Sequence, residues 1–348
     1  MELISTTCVL AAGQGKRMKS DLPKVLHPVC GRPMLLHVLA AAEALEAQRT
    51  VVVLGHGAEQ VVPHLPEGCA IALQDRPGGT GHALLASQQE LLPGPALVLP
   101  GDTPLITGDV LRELAQAHVS SRAAATLLTM VLDDPTGYGR IVRDESGAVI
   151  RIVEHRDATP KECAICEVNA GMYVLPVPLA LDILRNVGSH NDQGEIYLTD
   201  VVAGLIAQGE AVAGLTVEDP RSVLGVNSRV ELAEAERIMG ERIKTRWMLE
   251  GVTIVDPAST MIEAGVTLSP GVVLRPFTTL GGHTTIAPGC DVGPCSTVVD
   301  ARVAEDCLLP HCYVKSTAIP AGTRLAPFTA VEGKASEGRQ RPPTVVPY

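Results

Sequence analysis

The first 125 residues carry their apolar side chains in short unbroken runs. Residues 8–10, 51–54, 70–73 and 96–99 are apolar throughout, the pattern of parallel strands covered on both faces. Between them, 33–45, 81–91 and 109–118 have helical spacing and length. Strand and helix in this alternation predict a doubly wound α/β sheet. From 126 to 174 strand follows strand, with turns at 133–139 and 145–147, so this segment extends the sheet or forms a lobe over its edge.

The period then changes twice. Ser228 and Glu231 have capping-box spacing, and Leu232, Ala235, Met239, Ile243 and Trp247 form a helical stripe, which predicts a connecting helix over 228–250. After Gly251, Leu268, Leu274, Leu280, Ile286, Val292 and Val298 recur every six residues, and the beat returns after a slip at Ile319, Leu325 and Val331. One inward aliphatic per short strand, followed by a corner, predicts a left-handed parallel β-helix of hexapeptide repeats over 251–333. The segment 334–348 holds three prolines and little aliphatic content, and is expected to be mobile. The expected organisation is a large α/β domain over 1–227, the helix, the short β-helix and the tail.

Composition narrows the function classes. With 348 residues, two domains are expected. A net charge of -11 disfavours general affinity for nucleic acid or an anionic membrane. No apolar stretch reaches the roughly 18 residues that a membrane span needs. Nine cysteines without a leader-like start point to a reduced, cytoplasmic setting. Cys163 and Cys166 have the spacing of a zinc pair, but no second pair stands at a ribbon interval, and two small strand residues are the better reading. Cys290 and Cys295 recur 17 residues later as Cys307 and Cys312, a packing ladder on successive coils. His283 and His311 read as corner residues of the repeat.

One segment runs against the charge of the chain. Leu10-Ala-Ala-Gly-Gln-Gly-Lys-Arg-Met18, continuing to Leu22-Pro-Lys24, sits where the first strand ends and backbone amides are free. It is neither a dinucleotide fingerprint, which needs a third glycine, nor a Walker A loop, since Arg17 follows Lys16. Residues 13–32 hold Lys16, Arg17, Lys19, Lys24 and Arg32 against Asp21 alone, a net +4 in an acidic chain. A strongly anionic ligand such as a polyphosphate accounts for that island; a solvated loop is the bland alternative. Gly101-Asp102 follows another predicted strand, where a carboxylate beside a nucleotide is placed to hold Mg2+, although Gly-Asp is also an ordinary turn.

These phrases, with Gly79-Thr-Gly-His-Ala83, Asp133-Asp-Pro-Thr-Gly-Tyr-Gly-Arg140, Ile152-Val-Glu-His155, Asn169 before Gly171, Gly194-Glu-Ile-Tyr-Leu-Thr-Asp200 and Gly225-Val-Asn227, stand in the order found in one family. The chain resembles the bifunctional N-acetylglucosamine-1-phosphate uridylyltransferase / glucosamine-1-phosphate acetyltransferases, closely over residues 3–250. The resemblance implies a Rossmann-like nucleotidyltransferase domain that makes UDP-N-acetylglucosamine and pyrophosphate from UTP and N-acetylglucosamine 1-phosphate. It implies that Leu10, Ala11, Ala12, Gly13, Gly15, Gln74, Gly79 and Thr80 bind the nucleotide and that Arg17 and Lys24 act on the triphosphate. It further implies that Thr80, Gly139, Glu154 and Asn169 hold the sugar, that Asp102 and Asn227 ligate Mg2+, and that the β-helix builds a homotrimer. On residue chemistry alone Glu154 also reads as an exposed strand residue and Asn169 as a turn former. Glu195 and Asp200 read as local structural residues.

The family's C-terminal half has signatures for acetyl-CoA and the amino sugar that need far more coils than some 80 residues form, and acetyl transfer is not expected here. Two alternatives remain at this stage. One is a nucleotidylyltransferase for another nucleoside triphosphate and sugar 1-phosphate; the other is a non-catalytic subunit whose β-helix binds partners.

Overall fold

Strands at 6–11, 49–54 and 94–100 divide their side chains between two cores, as alternation along a doubly covered strand requires. Val9, Val52, Leu97 and Leu99 enter one cluster, and Cys8, Val51, Val53 and Val98 the other. The structure, a computed structural model, describes residues 4–187 and 194–333 and the backbone of 344–346. It comprises two compact units: one takes the chain up to His27 with Pro33–Glu231, the other Pro28–Arg32 with the chain from Leu232.

The first unit is built on a nine-stranded mixed sheet. Its main path runs Val212–Thr216, Ala125–Val131, Glu167–Val177, Gly94–Pro100, Thr6–Ala11, Arg49–Leu54, Ala70–Leu73. Glu167–Val177 is antiparallel to both neighbours; the other neighbours on this path are parallel. The hairpin of Arg140–Arg143 and Val149–Val153 branches from it. The doubly wound expectation holds, with local differences. Residues 70–73 form the sheet's outermost strand, so Ile71 and Leu73 are 39% and 63% exposed. The helix expected over 81–91 spans only Thr80–Ala86, after which the buried Ser87 hydroxyl donates to Leu84 O at 2.7 Å and the chain turns. Cys163 closes a short helix, Pro160–Cys163, capped by Thr159 and Glu162, and is not a strand residue.

The long helix is Arg229–Leu249. At its start Ser228 N–H donates to the Glu231 carboxylate at 2.7 Å and Glu231 N–H to Ser228 Oγ at 3.3 Å, a closed capping box. Of the expected stripe, Ala235, Ile243 and Trp247 are buried, joined by Ile238, while Leu232 and Met239 are half-buried. Ile243 and Trp247 share one apolar cluster with Val252, Ile254 and Leu274 of the coils that follow.

Those coils form three parallel sheets of two- and three-residue strands. The six aliphatics from Leu268 to Val298 all point inward and are at most 5% exposed. Register shows where the hexad beat slips: Leu280 pairs with Val298, 18 residues on, Ile286 with Val303, 17 on, and Val298 with Val314, 16 on. The shortened corners place Asp300, His311 and Ser316 at φ of 50°, 47° and 50°. Cys290, Cys307 and Cys312 are buried, and the Cys290 and Cys307 thiols donate to Ala304 O and Pro320 O. Cys295 is exposed and does not join the expected ladder. The segment Pro28–Arg32 belongs to this unit: Cys30 N–H donates to the Glu236 carboxylate at 2.6 Å, and Cys30 O accepts from Ala264 N–H at 2.8 Å. Gly31, at φ 75°, leaves room for the Glu263 carboxylate that any side chain would strike. The tail over 334–348 lies outside the described residues, except for the backbone at 344–346, which pairs antiparallel with Ala330–Glu332.

Candidate active site

Thr6–Ala11 is the strand at which the sheet order reverses, with Arg49–Leu54 on one side and Gly94–Pro100 on the other. Loops leaving the carboxyl ends there diverge and open a crevice. A cavity of about 1120 Å³ occupies it. Gly101 N–H donates to Leu10 O at 2.9 Å, which brings Asp102 beside the glycine loop. A Cβ on Gly101 would lie 3.1 Å from Ala11 Cβ and 3.2 Å from Leu10 O, a tight fit for any side chain.

The loop presents its backbone and cations to this space. Ala11, Ala12, Gly13, Lys16 and Arg17 line the cavity, and a Cβ on Gly13 would meet nothing within 4 Å. Buried Met18 anchors the loop from below. Gly15 is not among the lining residues; at φ 59°, with a virtual Cβ only 2.6 Å from Lys24 Cβ, it lets Lys24 pass close beneath the loop. Lys24 Nζ forms an ion pair with the Asp102 carboxylate and donates to Asn227 Oδ1 at 2.8 Å. Asn227 thus meets the cavity through Lys24.

Gln74, Gly79 and Thr80 line the same cavity. Gly79 has φ 92°, and the segment is clipped to the 194–200 stretch: Ile196 N–H donates to Gly78 O, Gly81 N–H to Ile196 O, and Leu198 N–H to Thr80 Oγ1 at 3.0 Å. Glu154 and Asn169 also line the cavity. Burial raises the Glu154 carboxyl above its ordinary range, with the Asp157 and Asp200 charges adding and a hydrogen bond from the Thr199 hydroxyl (3.2 Å) opposing. Asn169 lies where its strand breaks register around Gly171, φ 76°. Its Oδ1 accepts from Gly171 N–H at 3.0 Å and its Nδ2 donates to the buried Tyr173 hydroxyl at 2.5 Å. Burial also drives the Tyr173 phenol well above its ordinary range. Gly139 stands just outside the cavity wall; its carbonyl accepts from Asn169 N–H at 2.9 Å and its Cα faces Glu154.

The structure therefore brings together Leu10–Gly13, Arg17, Lys24, Gln74, Gly79, Thr80, Asp102, Glu154 and Asn169, with Gly15, Gly139 and Asn227 immediately behind them. Sequence reasoning counted Lys16 in the basic island and assigned nothing to Pro100, Tyr173, Tyr197 or Thr199, all of which also line the cavity. Thr199 lay within a quoted phrase, but its partner Glu154 is 45 residues away.

A divalent cation fits the donor set. One carboxylate, Asp102, and one amide carbonyl, Asn227, converge on a single positive charge, the Lys24 ammonium. Among the described residues no three His, Cys, Asp or Glu cluster into a protein cage. Two hard oxygen donors open to a cavity suit an ion that completes its shell with phosphate and water.

Comparison with known proteins shows which family the chain resembles. Residues 7–162 match the MobA-like NTP transferase domain. The chain is 43% identical over 331 residues to the bifunctional protein GlmU of Caldanaerobacter subterraneus subsp. tengcongensis, covering 95% of this chain and 72% of that protein. It is 45% identical over 327 residues to GlmU of Streptomyces avermitilis, covering 92% and 68%. Among solved structures, UDP-glucose pyrophosphorylase complexed with UDP-glucose superposes with a TM-score of 0.57 at 18% identity, covering 69% of this chain and 99% of that one, a likeness of fold.

Proposed function

Since the chain belongs to the GlmU family, we propose that it joins UTP to N-acetylglucosamine 1-phosphate, releasing pyrophosphate and forming UDP-N-acetylglucosamine. The observation that carries the reading is the Lys24, Asp102 and Asn227 cluster at the strand ends, beside one cavity that Gln74, Gly79, Thr80 and the partly buried Glu154 and Asn169 also line.

In this reading the phosphate oxygen of the sugar attacks the α-phosphorus of UTP, and the bond to the β-phosphate bridging oxygen breaks. Two anions must approach each other, so charge neutralisation and alignment matter more than a proton-transfer base. Backbone amides of Ala11–Gly13 and the side chains of Arg17 and Lys24 cradle the triphosphate. Gln74 and Gly79 hold the uracil; Gly139, Glu154 and Asn169 hold the sugar hydroxyls, and Thr80 lies by the acetamido group. A divalent ion, Mg2+ in this proposal, would be held by Asp102 and Asn227 and supply charge neutralisation on the phosphates. The β-helix would build a homotrimer of a cytoplasmic enzyme; no helix among the described residues is long and apolar enough to cross a membrane.

The test is a panel of four nucleoside triphosphates against glucose, mannose and N-acetylglucosamine 1-phosphates with Mg2+, read by pyrophosphate release. UTP with N-acetylglucosamine 1-phosphate is expected to lead clearly. Leadership by another pair reassigns the substrates, and no release from any pair overturns the enzyme reading. With acetyl-CoA and glucosamine 1-phosphate, no thiol release is expected.

A further inference from the structure

His82 takes no part in the reaction just described and is not among the residues lining the cavity, yet its ring is held in one place. A Cβ on Gly78 would fall 2.7 Å from His82 Cγ and 2.9 Å from Nδ1, so the imidazole lies against bare main chain. Its Nδ1 is 3.0 Å from Gln74 Nε2, which also donates to Gly79 O at 3.1 Å. On the far side His82 Nε2 faces the Asp75 carboxylate at 3.8 Å.

These contacts leave one self-consistent assignment of hydrogens. Gly79 O only accepts, so the Gln74 atom beside it must be the amide nitrogen. That nitrogen then also meets His82 Nδ1, which must be the accepting nitrogen, and the ring proton sits on Nε2 toward Asp75. Both amide hydrogens of Gln74 are thereby used, and its Oε1 has no partner among the described residues. Gln74 lines the cavity as an acceptor alone.

We propose that His82 is a positioning residue that sets base selectivity, by locking the Gln74 amide so that only its carbonyl oxygen meets the incoming base. The inference rests on the uridylyltransferase reading and extends it. Uracil offers an N3–H donor on that edge, whereas cytosine offers a lone pair at N3. A locked acceptor therefore admits the first and repels the second. An amide free to turn over would present N–H to cytosine and lose the distinction, because a site discriminates strongly only when its polar groups are fixed and would be left unpaired by the wrong partner.

The experiment compares kcat/KM for UTP and CTP, with N-acetylglucosamine 1-phosphate and Mg2+, in the full chain. His82→Leu removes the acceptor and is expected to lower the UTP-to-CTP ratio about tenfold, the equivalent of one neutral hydrogen bond. His82→Asn restores an acceptor near the position of Nδ1 and is expected to return most of the ratio. Gly78→Ala, which leaves Gln74 and His82 in place but pushes the ring away, is expected to lower the ratio as His82→Leu does, and it serves if His82→Leu does not fold. Equal losses for UTP and CTP, or a ratio unchanged in His82→Leu and Gly78→Ala, overturn the inference. Absence of UTP preference in the unaltered protein overturns the function reading beneath it.

Discussion

Replacing Lys24 by alanine should move two measured quantities in opposite directions. The ammonium neutralises Asp102 and donates to Asn227 while only 11% of its side chain and 20% of that of Asp102 are exposed. Two unit charges about 4 Å apart attract by about 4 kcal/mol at an effective dielectric near 20, and a hydrogen bond to a charged group retains about 1.5–3 kcal/mol after solvent exchange. A divalent ion that takes Asp102 and Asn227 must first displace that contact. Taking as the displaced contact only the about 1.5–3 kcal/mol that survives solvent exchange, the ion binds some 10- to 100-fold more tightly without Lys24, since about 1.4 kcal/mol is tenfold. Turnover falls instead, by about 10²- to 10³-fold, because one preorganised cation no longer meets the charge that develops on the departing pyrophosphate. Calorimetric titration of the nucleotide-free protein with Mn2+ reads the first quantity and pyrophosphate release the second. Near-normal turnover would remove Lys24 from the machinery. Weaker Mn2+ binding would show that the ammonium supports the oxygen pair and does not compete for it.

Two further outcomes are expected. Glu154 carries a carboxyl raised chiefly by burial. A raised folded-state value means that its stabilising contribution is complete below the unfolded value of about 4.3 and is lost as pH rises through the folded one. Glu154→Gln does not titrate, so its melting temperature should gain on the unaltered protein as pH rises from about 4.3 through the raised folded value and level off above it, with a higher KM for the sugar phosphate; parallel curves of melting temperature against pH would refute the burial. Gly79→Ala places a methyl group 2.5 Å from Ile196 O at φ 92°, and should destabilise the first unit by about 1–3 kcal/mol, several degrees in a thermal melt, and weaken UTP binding. An unchanged melt means that the clip between Gly78 and Ile196 is not held as described.

How far the chain could be read without coordinates varied with the reach of the force involved. Leu268 to Val298 were legible because each coil repeats the same burial demand every six residues. The later inward residues Val303 and Val314 fell out of phase because the corners at Asp300 and His311, between Val298 and Val303 and between Leu309 and Val314, are each one residue shorter than a full hexad allows. Nothing local in 70–73 says that a neighbouring strand is missing on one side, so Leu73 was read as buried. The glycine loop and Asp102 declared themselves by charge and turn chemistry. Their arrangement did not, since Lys24 and Asn227 are 203 residues apart and meet only through the fold. Tyr173 and Thr199 escaped notice for the same reason: each acts by fixing another side chain, a relation with no signature in sequence.

The five residues from Pro28 to Arg32 belong with a part of the chain that begins 200 positions later. Anyone wishing to express the α/β half alone by placing a stop codon after Glu231 would therefore strip the Cys30 main chain of two partners, the Glu236 carboxylate on its N–H and the Ala264 N–H on its carbonyl. Each orphaned group left out of water would carry a penalty of about 1–3 kcal/mol. The two parts are interlaced along the polypeptide, and a fragment that behaves well would need this short loop redesigned as well as the cut.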